Sequence, residues 1–173
     1  MRFHRVTSPV DPRFTEAMAL YGQSFPAHEQ REAASQAAIM SCKDYHFTAI
    51  ESEDGFIGAI LYWEAPRFLY VEHFCIETRL RGHGYGQAAL KLLGEQGKTV
   101  ILEIDPPVDD VARRRQRFYE RAGYCANPFP HVHPPYHAGN HGHDLVIMSS
   151  PAPLSQAVYD EFNRFLRERV MGQ

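Results

Sequence analysis

The sequence is poor in cysteine. Its three thiols, Cys42, Cys75 and Cys125, are an odd number at wide spacing and include no C-x-x-C pair. That excludes a disulfide framework and a thiolate metal knuckle, and it suits a reducing cytoplasm. Long apolar runs are lacking too. None approaches the ~18 residues of a membrane span, and Met1-Arg2-Phe3-His4-Arg5 lacks the apolar core of a signal peptide. No membrane partner is expected. An excess of basic charge is also absent: 18 Lys and Arg stand against 21 Asp and Glu, for a formal net charge of −3. Without a polybasic footprint, nucleic acid is a poor candidate partner. No repeat or low-complexity linker divides the 173 residues. They read as a single domain over 1–173, with a core over about 1–150 and a C-terminal helix over 154–170.

What is present centres on one stretch. Phe68 to Ile76 carries Tyr70, Val71, Phe74 and Ile76 and reads as a strand. Arg81-Gly82-His83-Gly84-Tyr85-Gly86-Gln87 then places glycines at alternate positions, and Ala88 to Leu93 are strong helix formers. A glycine turn at a helix start presents backbone N–H groups without intrahelical partners, at the positive end of the helix dipole. That is a ready cradle for phosphate, and Arg81 adds a charge able to grip one bidentately. The plain alternative is a tight strand–helix connection that uses glycine for positive φ. A P-loop is excluded, because no Lys-Ser or Lys-Thr follows these glycines. A dinucleotide fingerprint is excluded because the turn follows an antiparallel run of strands.

Around this stretch the chain reads in order as follows. Phe3 to Val6 forms a short strand, and Asp11 with Pro12 starts a helix that ends near Gly22. Glu29 to Met40 is a second helical segment with a polar, solvated face. Tyr45 to Glu51 and Phe56 to Trp63 form a hairpin around Asp54-Gly55. Thr99 to Ile104 is a near-continuous apolar strand, hence central. Asp109 and Asp110 start a basic helix whose arginines read as a solvated face. Asp144 to Met148 is the last strand. Ser155 caps a final helix whose stripe of Val158, Tyr159, Phe162, Phe165 and Leu166 packs on its own domain or on a second copy in a homodimer.

Two motifs in this order resemble the GNAT superfamily of acyl-CoA-dependent N-acyltransferases. One is the [QR]-x-x-G-x-[GA] turn, here Arg81-Gly82-His83-Gly84-Tyr85-Gly86. The other is an aromatic-Tyr-x-x-x-Gly-aromatic helix end, here Phe118-Tyr119-Glu120-Arg121-Ala122-Gly123-Tyr124. The resemblance covers nearly the whole chain. It implies an α+β fold (α/β by some schemes): a central mixed, mostly antiparallel sheet flanked by helices, with a C-terminal helix. It implies acetyl-CoA as co-substrate and transfer of an acetyl group to a primary amine by direct attack in a ternary complex.

The resemblance assigns roles. Arg81, Gly82, His83, Gly84, Tyr85, Gly86 and Gln87 hold the pyrophosphate. The thiol arm of CoA lies along Phe74, Cys75 and Ile76, and Tyr119 gives a proton to the leaving thiolate. A phenol, with an ordinary pKa near ~10, is protonated at neutral pH and able to donate. Glu72, mid-strand in an apolar run, is the expected base, with His73, Glu103 and Glu29 as alternatives. Strict alternation places Tyr70, Glu72, Phe74 and Ile76 on one face and Val71, His73, Cys75 and Glu77 on the other. Ala112 stands where many members carry an Asn that contacts CoA, a role left to Arg115, to Asp110 or to nothing.

The acceptor is expected to be a small-molecule amine bound by Glu29, Phe129, His133 and Tyr136. A protein N-terminus or lysine is the alternative, and a CoA-binding sensor without turnover is the rival of another class. The segment Asn127 to His143 holds His131, His133, His137, His141 and His143 among four prolines. Such spacing can bind zinc, but no cysteine joins it. It is read as the acceptor wall, with no metal expected.

Overall fold

The structure is a computed structural model and describes residues 1–172. Seven strands form a sheet in the order β1 (Arg2–Arg5), β2 (Tyr45–Ser52), β3 (Gly55–Glu64), β4 (Phe68–Ile76), β5 (Thr99–Ile104), β9 (Val146–Ser150), β6 (Cys125–Ala126). Every pairing is antiparallel except that between β4 and β5. Val132–His133 (β7) and His143–Asp144 (β8) make a separate small hairpin. The expected mixed, mostly antiparallel sheet is therefore present, with β5 an interior strand between β4 and β9.

Helices cover both faces. On one lie α1 (Pro12–Ser24), α2 (Ala33–Ile39) and α5 (Gln156–Phe165), whose Leu20, Ile39 and Phe162 pack with Phe47, Leu61, Trp63 and Tyr70. On the other lie α3 (Tyr85–Gly94) and α4 (Asp110–Arg121), whose Leu90, Leu93 and Tyr119 pack with Ile60, Leu69, Val71 and Leu102. The α5 stripe packs on its own sheet: Phe162 lies 5.1 Å from Tyr70 and Phe165 5.4 Å from Phe68, ring to ring. Burying an aromatic side chain of this size is worth about 1.5–3 kcal/mol. Among the described residues no helix is long and apolar enough to cross a membrane.

Three local readings change. The single helix over Glu29 to Met40 is instead a 3₁₀ turn at Ala27–Glu29, an extended link, and α2. Tertiary bonds outcompete helix propensity here. The Arg31 N–H donates to the Tyr21 hydroxyl at 2.8 Å, the Gln30 amide donates to the Phe25 carbonyl at 2.6 Å, and the Arg31 side chain is buried. The last strand begins at Val146, because His143–Asp144 is taken by the hairpin with β7.

The third change is in β4. Leu61 pairs with His73 but Tyr62 with Val71, so Glu72 is an extra residue, a β-bulge. Strict alternation fails there. Glu72 and His73 both turn toward the face of Tyr70 and Cys75, against Trp63 and Tyr21 respectively. Phe74 and Ile76 join Val71 opposite.

Candidate active site

The sheet splays at its centre. β4 pairs with β5 only from Phe68 to Val71, against Thr99 to Leu102. Beyond that, Phe74 to Ile76 on β4 and Glu103 to Asp105 beyond the pairing face one another across a cavity of about 1400 Å³. The β5-facing backbone of Phe74 to Ile76 is thus left without a strand partner, and an extended chain can bond there as an added strand.

At one end of the cavity is the glycine turn. Gly82 and Gly84 have φ of +81° and +82°, a left-handed conformation that glycine adopts without strain. Gly84 is the residue before α3 and puts no side chain over the helix end. The first N–H groups of α3 therefore remain available to an anion. A Cβ on Gly86 would lie 2.9 Å from the Phe118 ring, so glycine lets α3 sit against α4. The Arg81 Nε donates to the Ile76 carbonyl at 3.0 Å, which holds this side chain across the end of β4.

Arg81, Gly82, Gly84, Gly86 and Gln87 line the cavity, but His83 and Tyr85 are not among its wall residues. His83 instead turns back on the Arg81 carbonyl. Arg114 and Arg115 of α4 are exposed, as a solvated face predicts, and also line the cavity. Asp109 caps α4 through the Ala112 N–H at 2.8 Å. Arg115 pairs with Asp105 and Asp110 with Arg113, so both candidates for the role of the missing Asn are engaged.

Tyr119 of α4 lines the cavity and is buried. Burial pushes its phenol up to about 12, so it keeps its proton at neutral pH. It can donate to a thiolate and is not a base.

The other end is a network of buried polar side chains. The Glu72 Oε1 accepts from Arg31 at 2.7 Å and from the Tyr136 hydroxyl at 3.0 Å, while its Oε2 accepts from the Trp63 indole at 2.8 Å. Its side chain is 0% exposed. Burial opposes the charge, yet Arg31, with His73 and Trp63 behind it, holds the carboxyl below the usual carboxylate range. The carboxylate is thus fully engaged as an acceptor. Its short-range sequence context carried no sign of Arg31, its principal partner, 41 positions earlier. The Arg31 guanidinium also donates to the Val170 carbonyl at 2.7 Å, tying the C-terminus to this network.

Glu103 faces Glu72 from β5. It accepts from the Tyr70 hydroxyl, contacts His131 Nε2, and lies 3.8 Å from His133 Nε2. Burial works against its charge, but His133, His131 and Tyr70 together keep it depressed. Of the residues expected to bind the acceptor, Glu29, His133 and Tyr136 line the cavity. Phe129 does not. It stacks on Tyr159 of α5 at 4.2 Å and packs against the core on that side of the sheet.

The five loop histidines do not converge. His131 and His133 are buried, and His137 bonds the carbonyls of Ala27 and Gln30, each at 2.9 Å. His143 meets His28 and Glu29 at the rim, the only group among the described residues with metal-ligand spacing.

A sheet opened between two parallel strands, a glycine-lined helix start and a buried phenol on one cavity make up the candidate site of an acyltransferase. The chain belongs to the GNAT family of acetyltransferases: the family model matches residues 14–124. A GNAT-family protein from Bacteroides thetaiotaomicron superposes with a TM-score of 0.93 at 30% identity, over 100% of this chain and 99% of that one. An aminoglycoside 6'-N-acetyltransferase solved with coenzyme A gives 0.56 at 15% identity, over 90% and 100%. Arabidopsis thaliana Naa50, solved with the bisubstrate analogue CoA-Ac-MVNAL, gives 0.61 at 14%, over 86% and 97%. At such identities the last two share the fold alone. No curated protein matches the chain in sequence.

Proposed function

We propose that the protein transfers an acetyl group from acetyl-CoA to the primary amine of a small molecule, by direct attack in a ternary complex. The pyrophosphate rests on the N–H groups at the start of α3, with Arg81 beside it, and the thiol arm lies along Phe74 to Ile76 in the splay. The thioester then reaches Tyr119, whose hydroxyl donates to the departing thiolate. Glu72 serves the acceptor end by fixing Arg31, Trp63 and Tyr136 rather than by taking a proton.

The observation that carries the choice of acceptor is the strap over that end. The His137 ring nitrogen lies 2.9 Å from two carbonyls of the Ala27–Gln30 segment, bridging the histidine loop to the link before α2. Pro134 and Pro135 stiffen the strap. A bridge that ties together two segments bordering this end of the cavity restricts a polypeptide more than a compact amine, which favours the small acceptor.

The test is thiol release from acetyl-CoA across a panel of arylalkylamines, polyamines, amino sugars, amino acids and short peptides with free N-termini. Turnover confined to the compact amines is expected. Faster turnover of the peptides would transfer the reading to a protein acetyltransferase. Tight CoA binding with no turnover on any amine would favour a sensor.

A further inference from the structure

Two imidazoles on the cavity wall have one ring nitrogen each without a hydrogen-bond partner. In His73 the Nε2 lies 2.9 Å from the Glu29 carbonyl, and in His133 the Nδ1 lies 2.5 Å from the Pro134 carbonyl. A carbonyl only accepts, so these contacts set the tautomers: Nε2–H in His73 and Nδ1–H in His133. The lone-pair nitrogens, His73 Nδ1 and His133 Nε2, are buried and unbonded. Buried polar atoms in native proteins are nearly always satisfied, so each exception needs a reason.

The two differ in what faces them. The His73 ring is held edge-on by Tyr21 and Phe25, at 4.9 and 4.7 Å. His133 Nε2 faces Glu103 Oε2 at 3.8 Å, beyond a hydrogen bond but within reach of one if Nε2 gained a proton.

Glu103 is itself oriented from behind. The Tyr159 hydroxyl donates its single proton to the Pro130 carbonyl at 2.9 Å, so its oxygen accepts from His131 Nδ1 at 3.1 Å. The His131 Nε2 contact with Glu103 then holds one shared proton. This fixes the Glu103 carboxyl with one oxygen turned toward His133. The other titratable groups beside His133 are Tyr136 on its own loop, 4.9 Å away ring to ring, His143, its register partner on β8, and His73 on β4, which meets the same Tyr136 ring.

We propose that His133 Nε2 takes the proton of the attacking amine and that the Glu103 carboxylate beside it offsets the charge of the imidazolium so formed. This rests on the transferase reading above. The amine lone pair forms the N–C bond at the thioester carbonyl, and the C–S bond breaks with its electron pair on sulfur. The amine proton passes to His133, and Tyr119 protonates the sulfur. Return of the His133 proton to the Tyr119 phenolate through solvent restores both groups. His131 is a positioning residue that acts through Glu103.

The first test needs no acceptor. Spectra of the full-length protein labelled with ¹⁵N-histidine should show His133 as the Nδ1–H tautomer with a free Nε2. An Nε2–H tautomer would overturn the proposal.

The second uses His133→Gln with the amine of the panel that the wild type acetylates fastest. The expected result is a kcat lower by about 10²-fold at neutral pH, with acetyl-CoA affinity by calorimetry unchanged. The deficit should shrink as pH rises and solvent takes over the proton. Added imidazole should restore part of the rate in His133→Ala. A full kcat, or a loss equal at every pH and deaf to imidazole, would overturn it. Should either variant fail to fold, the wild-type tautomer decides. Wild-type inactivity on every amine would instead break the transferase reading itself.

Discussion

At the glycine-turn end, much of the cavity wall is backbone from the segment between Phe74 and Gln87, with Arg114 and Arg115 of α4 beside it. At the histidine end it is side chains of β4, β5 and the β7 loop, backed by Arg31 before α2 and Trp63 of β3. The first end is solvated and built from conformation: positive φ at two glycines and unbonded N–H groups. The second is buried and built from pairs: Arg31 with Glu72, His131 with Glu103. A site made of backbone is insensitive to most side-chain changes, while removing one partner from a buried pair leaves the other uncompensated. The two ends should therefore fail differently when altered.

The largest effect is expected at the pair. Glu72→Gln leaves Arg31, whose side chain is 3% exposed, without its counter-charge. Urea unfolding should show a loss of about 3–5 kcal/mol, while acetyl-CoA affinity in the folded fraction stays within about twofold. The pH dependence has a definite sign. The Glu72 carboxyl is held below its ordinary range, so its contribution is full above the unfolded value of about 4.3. It is lost as pH falls through the lower folded value. The variant should lack that part of the acid transition. A stable variant with weakened CoA binding would erase the distinction between the two ends.

The converse alteration is Gly84→Glu. The position has open space for a side chain but a φ of +82°, and its charge would sit where the pyrophosphate is placed. Acetyl-CoA affinity should fall by at least about 10²-fold, near 3 kcal/mol, with much less change in the urea midpoint than Glu72→Gln produces. Calorimetry and unfolding on the same protein make the comparison. Unchanged affinity would remove the phosphate from this turn.

Between the ends, Tyr119→Phe keeps the buried ring and removes the donor. We expect kcat to fall by about 10²-fold, with KM for acetyl-CoA nearly unchanged. A full kcat would mean that the thiolate leaves unassisted at this position.

The same contrast governs what could be read in advance. Strand, turn and helix from Phe68 to Leu93 are local, so period-2 residues, alternating glycines and helix formers announce them directly. So do the caps at Asp11, Asp109 and Ser155. The acceptor end depends on contacts across the chain. Nothing near Arg31 signals that it leaves a helical pattern to meet Glu72. Nothing near Glu72 signals the bulge that sets it and His73 on one face, because that bulge is a relation between two strands. Phe129 and the five histidines show the same limit: spacing shows which rings could meet, while the fold sends Phe129 to Tyr159, His131 to Glu103 and His137 to the strap. The arginines of α4 were ambiguous for a different reason. A basic face suits both solvent and phosphate, and only the position of the cavity separates the two.

The smallest effect is expected at that strap, and it bears most directly on the acceptor. His137→Ala removes one ring that bonds two carbonyls of the Ala27–Gln30 segment, at a partly exposed place where a hydrogen bond is worth about 1 kcal/mol. Stability should therefore change little. If the strap sets the size of the acceptor, kcat/KM for the best compact amine should fall about fivefold, since the loop no longer holds Tyr136 and His133 as firmly. Turnover of peptides with free N-termini should rise relative to it. Comparing the amine panel between wild type and variant measures both at once. A variant with the wild-type order of preference would show that the buried pairs beneath the strap, rather than the strap, choose the acceptor.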